Sequence, residues 1–520
     1  MSASREKKLR QDQTASGYVD PKAEKELEEK KAEKRSNVLY SVIAVLFVLV
    51  VAASFLWRSN VISRNATALT IDGEKYSAAE VNFYYQNVYR GFLQSNSYFI
   101  SYLGLDTNAS LKSQTVNATA ASMMGVEEGS SWHDYIMDNT VKQMTMVQRG
   151  LKQAQEEGYQ FPASVQEQYE DSLNSLKTSA ESTGMSVKAY LQKNLGAIMT
   201  EKVYNQQVLL MLQYQAYAQN YSDSLTYTDA ELEAAYQADP KTYDKAAWEY
   251  VVVSGAADST TDADGNTVQA TDEEQAAAKE TAKATAEEIL AAYNSGKSLE
   301  SIAGNYEKAT YYNTTDATYY DGVVGNWLFD DARKDGDTEI LEVGTNYYVG
   351  LFHSRGREEY KTVDIRHILI TPETGTKAQG DEGYEDEQTQ LKAAARTKAE
   401  EILAQWKSGE ATEDSFAQLA MENSADGSKY DGGLYTRVTK GWAVEEFNDW
   451  CFDASRKDGD TGIVDTTYGS HVMYFVGYDL PAWAASVTSD LQEKASSEWS
   501  TALSENADVQ QSDFGMKFVG

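Results

Sequence analysis

The chain has 520 residues, a formal net charge of −34, four histidines and one cysteine. An acid excess of that size excludes binding to nucleic acid or to an anionic surface through bulk charge; its plain reading is that it keeps the protein soluble. The lone Cys451 excludes an internal disulfide, so a length suited to about three domains must be stabilised by core burial.

Residues 1–37 are polar and charged, and Lys30, Lys31, Lys34 and Arg35 stand close to an apolar run, Val38 to Trp57. About 20 residues without a charge match one helical crossing of a hydrocarbon core about 30 Å thick. Trp57 suits the interface and Arg58 closes the run. The basic flank predicts a cytoplasmic N-terminus, with everything after Arg58 on the outside of the cell membrane. A cleaved signal peptide is the rival reading, because Ala66-Thr67-Ala68 has the small-x-small form. Its apolar core would exceed the usual ~7 to 15 residues, which favours an uncleaved anchor over 38–57. No cysteine follows the run where a lipid anchor would need one.

Residues 66–246 read as a mainly helical domain. Ala68 to Tyr76 gives a strand, an Asp72-Gly73 turn and a short return. Ser77-Ala78-Ala79-Glu80 is a capping box opening the aromatic-rich helix Val81 to Leu93. Ser97 to Ser130 is a loop rich in Ser, Asn and Thr, without a clear period. Helical periodicity then covers Trp132 to Glu157, Pro162 to Glu181, Ser186 to Leu195 and Ile198 to Tyr221. A further capping box at Thr228-Asp229-Ala230-Glu231 starts a helix to about Ala238.

Residues 247–357 and 362–479 are two versions of one pattern. Ala286-Glu287-Glu288-Ile289-Leu290-Ala291 recurs as Ala399-Glu400-Glu401-Ile402-Leu403-Ala404. Trp327, Phe329 and Arg333-Lys334-Asp335-Gly336-Asp337-Thr338 recur as Trp450, Phe452 and Arg456-Lys457-Asp458-Gly459-Asp460-Thr461. Aligning the strands sets Tyr250 against His367, Tyr348 against His471 and Val324 against Phe447. Of Gly432-Gly433-Leu434 only the first glycine has a counterpart, Gly322. The first copy therefore keeps core positions and loses the polar ones. His353 and His133 read as structural or solvent-facing.

In the second copy His367 lies in the alternating strand Ile365 to Ile370, and His471 follows the turn Thr466 to Ser470 into another strand. Between them come a helix from Ala393 to Trp406, a short helix at Ser415 to Ala420, the Asn423 to Ser428 turn, the Gly432-Gly433 pair and a helix around Val444 to Phe452. The loop Thr371 to Gln390 is acidic. The tail 481–520 offers a helix over Ala484 to Leu503 and an alternating Phe514 to Val519 that reads as a strand.

This succession of strand, helices, glycine pair, helix and two strands resembles the parvulin family of peptidyl-prolyl isomerases. The resemblance implies catalytic roles for His367, His471, Thr466 and Asp426, and a proline pocket walled by Leu434 and Phe447 with Trp442 and Phe452 alongside. The pocket methionine of many relatives aligns with Ala443. The aspartate of the usual Gly-Gly-Asp-Leu-Gly is missing, and Tyr435 replaces its last glycine. Rotation about an X-Pro bond breaks no bond, so neither a metal nor a cofactor is implied. Parvulins that select phosphorylated substrates place basic groups where this chain has its acidic loop, so unmodified chains are the implied substrates.

The N-terminal half resembles the chaperone domain of exported PrsA- and SurA-like foldases. In those proteins a C-terminal element returns to complete that domain, so the last strand is expected to pair near Leu69 to Ile71. The implied fold class is α+β: an N-terminal transmembrane helix, a mainly helical chaperone domain completed by the C-terminal segment, and two inserted modules of small antiparallel sheet with flanking helices. The implied function is isomerisation and chaperoning of unfolded, newly exported polypeptides, with no nucleic-acid partner and with a homodimer left open. The alternative is a non-catalytic membrane-tethered holdase. For that role Tyr84, Tyr85, Tyr89 and Phe92 are candidate client contacts, although they also fit a plain helix core.

Overall fold

The computed structural model describes residues 3–15, 17, 21–262 and 265–520, some N-terminal helical residues by their backbone alone. Its strands are β1 Thr67–Ile71, β2 Glu74–Ser77, β3 Lys245–Val253, β4 Thr260–Thr261, β5 Thr267–Val268, β6 Ala309–Ala317, β7 Thr338–Val343, β8 Asn346–Gly356, β9 Lys361–Ile370, β10 Leu434–Val438, β11 Thr461–Asp465, β12 Ser470–Pro481 and β13 Val509–Gln511. The chain divides into two compact units, one of residues 1–160, 169–215 and 500–520, the other of 161–168 and 216–499.

The first unit is organised on a hairpin. Asp72 and Gly73 both take positive φ, 49° and 84°, the left-handed pair that a two-residue turn between right-twisted strands requires. Ser77 then caps helix Ala78–Ser95, accepting from the Glu80 amide while the Glu80 carboxylate accepts from the Ser77 amide. That helix turns Val81, Phe83, Tyr84 and Tyr85 into a core shared with Leu69, Ile71, Ile136, Met144 and Leu191. Tyr89 and Phe92 pack against the same core. The candidate client contacts are therefore core residues, because they share the inward face of one amphipathic helix.

The segment 97–130, unreadable by period, has its own small core. Leu103, Leu105, Val116 and Ala120 enclose Trp132, around a 3-10 turn Leu111–Ser113 and a helix Ala118–Met124 capped by Asn117. On the side of β1 away from β2 the pairing strand is β13, with Leu69 opposite Gln511 and Ile71 opposite Val509. Phe514 to Val519 is not a strand. It forms a 3-10 turn, Gly515–Phe518, in which Phe514 and Phe518 meet four residues apart at 5.3 Å and Val519 is fully buried. Gly515 lies against the backbone of Thr67 and Ala68 where a Cβ would have no room.

Pro21–Arg58 is one unbroken helix containing the apolar run. Its Val38, Ile43, Leu46, Phe47, Val50 and Phe55 side chains are exposed. Among the described residues no helix is long and apolar enough to cross a membrane, so the expected transmembrane helix is not found there. The side chains of Trp57 and Arg58 lie outside the described residues.

The second unit holds two four-stranded antiparallel sheets of the same topology, β6-β3-β8-β7 and β10-β9-β12-β11. In the first, helices Asp272–Asn294 and Leu299–Ala303 cover the face carrying Val251, Val253 and Val349, and helix Val323–Leu328 packs near Trp248. In the second, helices Tyr384–Ser408 and Glu413–Asn423 cover Ile368 and Val472, and helix Glu445–Cys451 covers Ile365, Met473 and Phe475. The registers match residue for residue: Val252 faces Tyr348 as Leu369 faces His471, and Tyr250 faces Gly350 as His367 faces Met473. Both modules also lay an arginine over the matching tryptophan, Arg333 on Trp327 at 4.8 Å and Arg456 on Trp450 at 4.1 Å.

Two boundaries differ from the sequence reading. The helix expected from Ala393 begins at Tyr384, so Glu385, Asp386 and Glu387 fill its first turn, where their charges interact favourably with the helix dipole, instead of lying in a loop. Gly322 is not the counterpart of Gly432: it precedes helix Val323–Leu328, whereas β6 puts Tyr312 opposite Tyr250. Opposite His367, whose amide donates to Gly433 O at 2.9 Å, stands a glycine.

Candidate active site

His367 and His471 come from the neighbouring strands β9 and β12, on the face that also carries Val363, Ile365, Met473 and Phe475. They occupy diagonal positions of an antiparallel pair, which is within reach of ring contact. The rings lie 5.3 Å apart and 18° from parallel, with Nδ1 of one 3.1 Å from Nδ1 of the other. Both are nearly buried, at 3% and 5% exposure.

The loop after helix Glu413–Asn423 is stitched to β9. The Leu369 amide donates to Ser424 Oγ at 3.0 Å, and the Ala425 amide donates to Leu369 O at 2.9 Å. This holds Asp426 beside His367, with Oδ1 3.2 Å from Nε2. Asp426 Oδ1 also accepts from the Ser428 amide at 2.8 Å, from the Ser428 hydroxyl and from the Tyr435 hydroxyl at 2.9 Å. At the other end Thr466 Oγ1 lies 2.9 Å from His471 Nε2.

One hydrogen-bonded line thus runs Thr466, His471, His367, Asp426. Of two facing Nδ1 atoms one donates and the other accepts. With an ionised Asp426 accepting from His367 Nε2–H, the consistent pattern has His471 Nδ1–H donating to His367 Nδ1 and the Thr466 hydroxyl donating to His471 Nε2. The hydrogen bond from His367 holds the Asp426 carboxyl well below the usual carboxylate range, against the opposing effect of burial, with Ser428 adding to the lowering. Burial pushes His471 down to about 4, with His367 as the next cause; Asp426 and Asp465 act the other way. His471 is accordingly neutral at pH 7.

The apolar side is set at right angles to the pair. Phe447 presents its ring edge-on to His367 at 5.5 Å and to His471 at 5.3 Å. Trp442, half exposed, stands 6.3 Å from Phe447 and 4.7 Å from Tyr435, and Ala443 and Val444 pack beneath. Gly432 and Gly433, with φ of 65° and 74°, carry the chain into β10, and a Cβ on Gly433 would collide with the His367 carbonyl oxygen.

Of the residues singled out from sequence, His367, His471, Asp426, Thr466, Phe447 and Trp442 are brought together. Leu434 pairs with Arg366 in the first rung of β10. Phe452 packs instead against Tyr360, at 5.9 Å. Ser428 and Tyr435 were missed as participants. Ser428 follows an aspartate by two residues, the spacing of an Asx turn, and that signal was available. Tyr435 stood out only as a departure from the family pattern. His353 bonds Glu249 at 3.0 Å and His133 bonds the Tyr85 hydroxyl at 2.9 Å, both away from this line.

Residues 349–476 match the PPIC-type PPIASE domain family. The chain therefore carries a parvulin-type peptidyl-prolyl isomerase domain, and the histidine line lies within it. Over 142 residues the chain is 29% identical to foldase protein PrsA 1 of Listeria innocua serovar 6a, a match that takes in 26% of this chain and 39% of that protein. Among solved structures, PrsA of Bacillus anthracis aligns at 21% identity and a TM-score of 0.18, over 28% of this chain and 58% of that one. PrsA of Bacillus subtilis aligns at 14% identity and a TM-score of 0.27, over 75% and 93%. The chain spans about two fifths of the curated relative's length.

Proposed function

We propose that the protein is an extracytoplasmic foldase that catalyses cis-trans isomerisation of X-Pro bonds in unfolded polypeptides. The single observation that carries this is the Thr466-His471-His367-Asp426 line, its histidines buried and set under an aromatic wall, inside the segment that matches the isomerase family. The uncatalysed reaction crosses a barrier of about 18–20 kcal/mol because the amide must lose conjugation. Phe447 and Trp442 bind the prolyl ring, and the polar line beside them favours the twisted amide over the planar one. Residues 362–479 form the working module and 247–357 a module without catalysis. Residues 66–246 with 481–520 form the chaperone domain.

The exposed apolar face of helix Pro21–Arg58 and the basic residues before Val38 support a single-pass anchor with residues 1–37 in the cytoplasm. A client-holding role for the helical part draws on Tyr98, Phe99, Tyr102 and Met123, large apolar side chains left exposed at 89%, 51%, 71% and 60%. Unphosphorylated segments are the substrates, because the approach from residues 373–387 is acidic.

The test is isomerisation of an unphosphorylated X-Pro peptide by the full chain in mild detergent, beside His367→Ala and Phe447→Ala. Acceleration that both variants lose supports the reading. No acceleration by the folded, unaltered chain overturns it in favour of a tethered holdase.

A further inference from the structure

Tyr435 occupies a position that is glycine in the family pattern. Here its hydroxyl donates to Asp426 Oδ1 at 2.9 Å while its ring lies 5.3 Å from that of His367 and 4.7 Å from that of Trp442. Asp426 Oδ1 is therefore the meeting point of four donors: the Ser428 amide, the Ser428 hydroxyl, the Tyr435 hydroxyl and His367 Nε2. A carboxylate oxygen so surrounded cannot turn away from His367 without breaking its hydrogen bonds to the Tyr435 phenol and to Ser428 in a half-buried site.

We infer that Tyr435 is a positioning residue: its phenol, with Ser428, keeps the Asp426 carboxylate aimed at His367 Nε2 and thereby sets which ring nitrogens carry protons along the whole line to Thr466. The inference rests on the isomerase reading for its consequence but not for its geometry. With Nε2 protonated, His367 Nδ1 is the acceptor, His471 Nδ1 the donor and His471 Nε2 the acceptor of the Thr466 hydroxyl. The groups facing the line are Ser428, Tyr435 and His367 on Asp426, and Thr466, Asp465 and Asp426 on His471; the remaining wall, Phe447, is apolar. Tyr435 also leans its ring against Trp442, so one side chain ties the proton arrangement to the wall of the pocket.

The experiment uses the full chain with 15N-labelled histidine and the variants Tyr435→Phe and Ser428→Ala. Ring-nitrogen shifts report the tautomers of the four histidines, and kcat/KM on an X-Pro peptide is measured at pH 7. The phenylalanine keeps the contact with Trp442 and removes only the donor. The expected result for each variant is a second tautomer of His367 together with a several-fold fall in kcat/KM, because a carboxylate with fewer donors is freer to turn away from Nε2. A single tautomer in Tyr435→Phe overturns the inference even if activity falls, since loss of packing alone does not move the proton. If the unaltered chain shows no activity while Tyr435→Phe still changes the tautomer, the positioning role stands and the isomerase reading fails.

Discussion

Tyr250 and Tyr348 stack with ring centroids 5.8 Å apart and planes 17° apart, on the register positions that His367 and His471 hold in the other sheet. Trp248 covers Tyr250 on one side at 4.0 Å and Tyr312 follows at 5.0 Å, so the place of the polar line is filled by aromatic rings. Gly350 makes this stack feasible, since a Cβ there would press on the Trp327 and Trp248 indoles. Five residues, 304–308, join the short helix to β6, where ten, 424–433, join helix to β10. The loop that carries Asp426 and Ser428 thus has no equivalent in the first module.

The first module is therefore expected to supply no isomerisation. His367→Ala in the full chain is expected to lower kcat/KM on an X-Pro peptide by one to two orders of magnitude, about 1.4 to 2.7 kcal/mol in activation free energy. Half or more of the activity surviving in that variant would assign catalysis to the tyrosine stack.

Phe447 and Trp442 should separate stability from binding. Phe447 is 3% exposed and belongs to the core under the sheet, so Phe447→Ala is expected to cost about 3–5 kcal/mol of stability as well as activity. Trp442 is 50% exposed, and Trp442→Ala should raise KM several-fold while changing stability by no more than about 1 kcal/mol. Denaturant midpoints and peptide kinetics on the two variants decide this; equal losses of stability would place Trp442 in the core.

Acidification should weaken the second module before carboxylates titrate. His471 falls from an ordinary 6.5 to about 4 in the folded protein. Between those values the unfolded chain binds a proton that the folded chain does not, so this contribution is complete above about pH 6.5 and is lost as pH falls toward 4. The slope is at most about 1.4 kcal/mol per pH unit. Asp426, also lowered, contributes stability above its ordinary 3.8 that is lost only at still lower pH. Amide exchange of β12 at pH 7 and pH 4.5 measures the effect, which His471→Gln should abolish.

Gly433 and Gly459 should respond differently to alanine. Both have positive φ, 74° and 85°, but only at Gly433 does a Cβ meet backbone, at His367. Gly459→Ala is expected to cost about 1–2 kcal/mol of conformational strain. Gly433→Ala should cost more and shift His367, read as loss of activity out of proportion to the change in thermal midpoint.

The helices between residues 78 and 238 were legible because capping boxes at Ser77 and Thr228 and clean periodicity marked them; their observed limits fall within about three residues of those expected. The histidine pair was legible from strand alternation and its counterparts in the repeat. What escaped the sequence depends on tertiary contact. The segment 97–130 orders around Trp132, which lies after it, so no local period announces its structure. Phe514 to Val519 alternates like a strand, yet β1 already takes β13 as its partner and the following residues turn to bury Val519. The first turn of helix Tyr384–Ser408 was hidden in a run of acids: Glu387 accepts from the Thr376 hydroxyl and amide and from the Lys377 amide, a tether visible only in three dimensions. Tyr435 was visible as an oddity, but its partner Asp426 stands nine residues earlier across a glycine turn.

Cys451 ends the helix that carries Phe447; its thiol is fully buried, and burial pushes it up to about 12. A thiol reagent gains access only when that helix lifts from the sheet, and the thiolate on which such reagents depend is scarce until then. The chain therefore has a clock already installed: its rate of alkylation counts how often the pocket wall opens, with no label engineered and no second sulfhydryl to confuse the reading.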